Sequence, residues 1–534
     1  MTFLGPIYDL DSSSIILNKA AGEDSSECLK NRRVSTTWKG HSDHIIEIFW
    51  RDLRQVNPKG PVNIGQAMDV INAQAAADTP TVLKFTQLMN VFKKHGWSFV
   101  DHSPVLVMIN DFQKLQHELA AKLALEKIWP RLRQLQQLSA LASLPGSDAA
   151  AEEIRPFLHN NKNALQTVPF LDLKDLDLKV LPPELKLLTG LQGLDLNNNQ
   201  LSDISSLRAL TNLTVLALNN NQLSDISALS ALTNLTRLAL GNNQLSDISS
   251  LSALTNLTVL ALENNQLSDI SSLSALTNLT KLWLENNQLS DISSLRALTN
   301  LTQLWLNNNQ LSDISSLRAL TNLTVLALNN NQLSDISSLR ALTNLTGLWL
   351  GNNQLSDISS LRALTNLMQL ALENNQLSDI SSLRALTNLT NLWLNNNQLS
   401  DISSLRALTN LTVLGLNSNQ LSDISSLRAL TNLTQLGLSN NQLSDISSLR
   451  ALTNLTGLLL DNNQLSDISS LGDLINLTVL KLNNNKLTKI PDFPYLKYLF
   501  LFDLDGNLLT EIPSSNGLSS NGKKTFETAF SKQQ

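Results

Sequence analysis

The chain holds a single cysteine, Cys28, in 534 residues. That excludes a disulfide framework and a cysteine-based zinc site. His41 and His44 lie close together in sequence, yet with Asp43 and Glu47 beside them they match no recognisable metal-site spacing. Nor does their distance from Cys28 define a Cys–His nucleophile, which requires pairing in space. No GxxxxGK[ST] loop occurs and no GxGxxG follows a strand, so the phosphate-cradling signatures of nucleotide enzymes are missing. No segment approaches the ~20 apolar residues of a membrane span, and Met1 to Gly22 lacks the basic start and apolar run of a cleaved signal. A cytoplasmic location is the expectation, with export by a route needing no cleaved signal as the alternative. Neither a cofactor nor a metal is expected.

What the chain does have is repetition. An asparagine recurs every 22 residues, at Asn199, Asn221, Asn243 and onward to Asn485, then in a degenerate copy at Asn507. One unit reads LTNLTVLALNNNQLSDISALSA, from Leu210 to Ala231. A fixed period of this length builds a solenoid, whose units are stable only when stacked. Leu216 and Leu218 alternate as in a strand with one buried face. Leu223, Ile226, Leu229 and Leu232 run three apart, which suits a tight 3₁₀ return segment. Asp225, with Ser224 and Ser227, is placed to cap that segment. Asn221 follows the strand, where its amide can satisfy backbone groups turned away from water. Leaving such a group unpaired costs about 1–3 kcal/mol.

The pattern LxxLxLxxNxLxxIxxLxxLxx resembles the bacterial leucine-rich repeats of the 22-residue, internalin-like class. The segment LPPELKLLTGLQGLDL, Leu181 to Leu196, resembles the usual start of such an array. The resemblance implies a right-handed curved α/β solenoid of about 15 units. Its parallel sheet would be concave, its return segments 3₁₀ or helical, and its usual partner a protein. The internalins are exported and anchored, which the absence of a signal does not match.

The copies differ at three positions counted back from each asparagine. Six residues before it stand Arg237, Lys281, Gln303 and Gln369 among valines and glycines. Four before it stand Trp283, Trp305, Trp349 and Trp393 among alanines, and two before it Glu263, Glu285 and Glu373 among asparagines. Spacing by two puts all three on one strand face, opposite the leucines. Thr211, Gln222 and Ser224, which also read as exposed, hardly vary, so free drift is not the preferred explanation. The four tryptophans are the only ones in the array. Strands about 4.8 Å apart would let Trp283 stack on Trp305, with Lys281 and Glu285 flanking. Exposed aromatics rimmed by charge are how interfaces concentrate binding energy.

The expected function is a non-enzymatic protein-binding scaffold, with those eleven residues as its contact set. A carbohydrate on the aromatic strip is the lesser alternative, because so long a strip suits an extended protein. A second column, Arg208 and Arg296 to Arg450, lies on the return side beside an aspartate column and is expected to form a solvated, mutually neutralising face, not a nucleic-acid site. Asn212-Leu213-Thr214 and its copies match a glycosylation sequon, read here as accidental.

The non-repetitive part divides into a mainly helical region, 1–110, and a helical connector leading into the array, 111–172. Helices are expected at 42–56, 64–76 and 81–95, then a longer stretch from Asp111 to Leu144 interrupted by Pro130. The solenoid spans 173–513 and a polar, disordered tail 514–534. An effector whose N-terminal domain acts while the repeats select the target is an alternative function; a purely structural solenoid is another.

Overall fold

The structure, a computed structural model, describes residues 104–139, 141, 143–491, 493 and 499–510. The helices expected at 42–56, 64–76 and 81–95, and the tail 514–534, lie outside the described residues.

The period of the sequence becomes one continuous parallel sheet of 16 strands in chain order. It runs from β1 (Phe170–Asp172) through β2 (Gly193–Asp195) and β3 (Val215–Ala217) to β16 (Leu501–Asp503). Each strand has three residues and buries its central one: Leu216 in β3, Leu282 in β6 (Lys281–Trp283), Leu304 in β7 (Gln303–Trp305). Pairing keeps equivalent residues side by side, as in Lys281↔Gln303, Leu282↔Leu304 and Trp283↔Trp305. Every column of the sequence is therefore a column in space.

The return segments are five-residue 3₁₀ turns such as Ser227–Ala231, with Leu229 buried beneath. The expected cap is present: Asp225 Oδ1 accepts the N–H of Ser227 at 2.7 Å. Asn221 acts in two directions. Its Nδ2 donates to Leu218 O at 3.1 Å in its own copy and to Leu196 O at 3.0 Å in the copy before. Its Oδ1 accepts the buried N–H of Leu201, also in the copy before, at 3.0 Å. Two further ladders run between copies: Asn234 Nδ2 donates to Thr211 O at 2.9 Å, and Thr236 Oγ1 to Thr214 O at 3.0 Å. The sequon asparagines thus have a structural role that the motif does not suggest.

The residue before each ladder asparagine adopts the left-handed conformation, Asn220 at φ 57° and Ser418 at φ 54°. Asparagine tolerates this region several-fold better than most side chains. Ser418 is the one serine in that column, so Ser418→Asn should raise stability by about 0.5–1 kcal/mol in a denaturant titration.

The helices preceding the sheet are α1 (Pro104–Arg133), α2 (Gln136–Ser139), α3 (Ala151–Asn160) and α4 (Lys162–Leu165). Pro130 does not interrupt α1, which continues through it to Arg133. The proline forfeits one backbone bond near the helix end, while Ile128, Trp129 and Leu132 around it are buried in the same core as the repeat leucines. Trp129 Nε1 donates to Gly146 O at 2.7 Å, and its ring meets Phe157 edge-on at 5.8 Å. Arg155 pairs with the buried Glu184 at 2.6 Å, and Lys127 Nζ donates to Leu176 O and Asp177 O. From Ala124 onward the described residues form one compact unit. Its helices share the buried core of the first repeats, with α3 packed on the turn Pro183–Leu187, and solenoid ends require such a cover.

Candidate functional site

The three variable columns share the sheet face opposite the leucines, as the alternation requires: Lys281 and Trp283 are half-buried while Leu282 between them is buried. On that face Trp283 and Trp305 stack, ring centroids 4.6 Å apart and planes within 6° of parallel. The four tryptophans lie on strands β6 to β11 (Asn391–Trp393), and alanines fill the places between them. Register sets Ala327 between Trp305 and Trp349, and Ala371 between Trp349 and Trp393. Both alanines are only 3% exposed, whereas Ala217, Ala239 and Ala261, on the strands from β3 to β5 (Val259–Ala261), are half-buried. The indoles cover their small neighbours and extend one aromatic strip across six strands. Trp349 and Trp393 have no ring partner of their own among the described residues. The ring of Trp349 lies over Gly347, where a Cβ would come within 2.6 Å of it.

The carboxylates are arranged just as locally. Glu263 lies over Gly241 and Glu373 over Gly351, so a Cβ at either glycine would collide with the glutamate of the next copy. The two glycines in that column are each followed by glutamate, a pairing that sequence reading by single positions misses. One oxygen of Glu263 and one of Glu373 are buried without a hydrogen-bond partner. Burial raises the Glu285 carboxyl above the usual range, and repulsion from Glu263 adds to this; a bond to its own backbone and one from Asn307 act against it. The raised folded-state value means that stability from this group is greatest below the ordinary glutamate range and falls as pH rises through the raised value. Glu285→Gln should remove that fall and stabilise the neutral-pH protein by less than about 1 kcal/mol, the group being half exposed. The difference between thermal melts of the two proteins from pH 4 to 7 reads it directly.

Charge is also sorted across the width of the face. The column nearest the strand starts carries Arg237 and Lys281 and no acid, and that nearest the strand ends carries Glu263, Glu285, Glu373 and Asp461 and no base. Gln303 is half-buried, while Gln369 and Arg237 are exposed on the basic side.

The return side differs from expectation. Its arginine and aspartate columns do not neutralise one another as pairs: among the described residues the column makes one ion pair, Arg450–Asp473 at 3.3 Å. Each aspartate is held instead at the start of its own 3₁₀ turn, as Asp313 is by Ser315 N–H at 2.7 Å. Among the described residues no cluster of His, Cys, Asp or Glu stands ready to hold a metal ion, and no helix is long and apolar enough to cross a membrane.

The family model for Leucine Rich repeats (2 copies) matches seven successive segments, from residues 189–231 through to 453–497. The chain belongs to the leucine-rich repeat proteins, solenoids that serve in general as binding scaffolds. Among solved structures it is similar to an internalin (inlF) of Listeria monocytogenes, with 37% identity over 62% of this chain and 94% of that one, TM-score 0.55. It is likewise similar to a leucine-rich repeat protein of Leptospira interrogans, with 31% identity over 71% and 97%, TM-score 0.62. The functional domain of InlJ from Listeria monocytogenes shares the fold at 24% identity, covering 66% of this chain and 77% of that one, TM-score 0.58. No curated protein matches significantly.

Proposed function

We propose that this protein is a non-enzymatic scaffold that holds an extended protein partner along its sheet face. The observation that carries the reading is the Trp283–Trp305 stack, continued by Trp349 and Trp393, on the one face whose residues change from copy to copy. Large aromatics on a solvent-facing sheet are a cost unless something covers them. A carbohydrate suits this surface less well, because the aromatic strip spans six strands and its rim is charged. The sorted charge adds an orientation: the partner sets cationic side chains along Glu263, Glu285 and Glu373, and acidic or neutral ones along Arg237 and Lys281. Affinity capture from source-cell lysate tests the reading, with the full chain as bait and a Trp283→Ala/Trp305→Ala protein as control. A partner retained by the first and absent from the second is expected; equal recovery by both would remove the anchor assignment.

A further inference from the structure

The return side carries a second surface that the sheet face does not use. Eight consecutive copies place an arginine fourth in the 3₁₀ turn, from Arg296 to Arg450. All eight are exposed. Seven of them have no carboxylate within 4.0 Å among the described residues, and the eighth is Arg450 beside Asp473. The nearby aspartates are occupied within their own turns: Asp401 takes the N–H of Ser403 at 2.7 Å and its hydroxyl at 3.1 Å. Consistent with that, Asp423 is held below the usual carboxylate range by its bonds from Ser425, with no arginine contributing. Acids therefore run along the start of the turns and bases along the end, as two separate stripes.

Successive turns are tied at the repeat spacing by serine hydroxyls, as Ser426 Oγ to Ile402 O at 3.1 Å. The stripe is thus a line of guanidinium groups, one per copy, of which only Arg450 has a carboxylate partner among the described residues. Arg384, Arg406, Arg428 and Arg450 line an open groove of about 1130 Å³ whose other walls are serine and alanine. A similar groove of about 560 Å³ lies beside Arg296 and Arg318.

We infer that this stripe binds a linear acidic polysaccharide, its sulfate or carboxylate groups meeting successive arginines and its hydroxyls meeting the serines. Guanidinium groups favour such oxyanions through charge-assisted hydrogen bonds. Single-stranded nucleic acid fits less well, since no aromatic side chain lines either groove to stack a base. A lipid surface fits less well too, because the flanking residues offer no apolar side chain larger than alanine for insertion.

The array supplies its own control substitution. Ser230, Ser252 and Ser274 occupy the arginine's place in three copies, each folding back on its turn, as Ser252 Oγ does to Ser249 O at 2.8 Å. The triple change Arg384→Ser/Arg406→Ser/Arg428→Ser therefore keeps a side chain the fold already accepts. Binding of a size-defined heparin oligosaccharide to the full chain is measured across a salt series, beside an oligothymidylate and phosphatidylserine vesicles. The wild type should bind heparin best, with affinity falling as salt rises. The triple variant should bind about ten-fold more weakly and with a shallower salt dependence. The Trp283→Ala/Trp305→Ala protein should bind heparin as the wild type does, which keeps this surface separate from the sheet face. Equal heparin affinity of the triple variant and the wild type would overturn the inference. So would tighter, arginine-dependent binding of the oligothymidylate or of the vesicles.

Discussion

Asn309→Ala loosens the middle of the array by about 3–5 kcal/mol, because it leaves several backbone groups unpaired at once. The lost amide donates to Leu284 O, Leu306 O and Asn307 O and accepts the buried N–H of Leu289. Leu289 is fully buried, and the bond from its N–H to Asn309 is itself a buried one. Hydrogen exchange should show the Leu289 amide losing protection first, with the effect fading over neighbouring copies, since each copy contacts only the next. Asn309→Asp separates the two halves of the role. It keeps an acceptor for Leu289 but turns a carboxylate towards carbonyl oxygens, so it should recover toward the alanine-free value only in acid. Unchanged protection at Leu289 in Asn309→Ala would mean that the ladder is not what joins the copies.

The opposite profile is expected at the tryptophans. Truncating a buried aromatic anchor costs an interface about 2 kcal/mol or more, so Trp283→Ala/Trp305→Ala should weaken partner binding by at least ~100-fold. Folding should change far less, because the stack itself contributes only about 0.5–1.5 kcal/mol beyond its area. Trp349→Ala should weaken binding less than the double change does, its ring resting on Gly347 without an aromatic neighbour. Calorimetric titration and a thermal melt of the same samples separate the two effects. A lowered melting temperature with intact affinity would make the stack a stiffener of the sheet and nothing more.

Most of the solenoid was legible because its cause is periodic. Leucines two and then three apart specify strand and 3₁₀ turn, and the invariant asparagine marks where backbone groups need a partner. The stack of Trp283 on Trp305 followed from register alone. Other features depend on pairs of copies and were not legible column by column. The seating of Glu263 over Gly241 needs both residues to be read together, as does the burial of Ala327 beneath its tryptophan neighbours. In the run of asparagines, sequence reading picked out Asn221 but not Asn220, whose role is backbone conformation and not bonding to the core. The arginine and aspartate columns misled because opposite charges five residues apart in the same copy suggest pairing; the aspartates are claimed first by nearby serine N–H groups. Side-chain ladders account for the constancy of Asn234 and Thr236, but not for that of Thr211, Gln222 and Ser224, the residues set against free drift.

The asparagine ladder makes the array a zipper with a direction. Each copy's leucine N–H relies on an amide supplied by the copy that follows, never by the one before, as Leu201 relies on Asn221 and Leu465 on Asn485. A chain shortened from its C-terminal end therefore strands a buried donor in its last remaining copy. One shortened from the other end leaves an asparagine that still bonds carbonyls of its own copy, as Asn221 does at Leu218. Fraying should thus be easier from the C-terminal side. That dependence also accounts for Asn507, retained in a closing copy where most of the consensus has been replaced: it serves Leu487 in the copy before, at 3.1 Å.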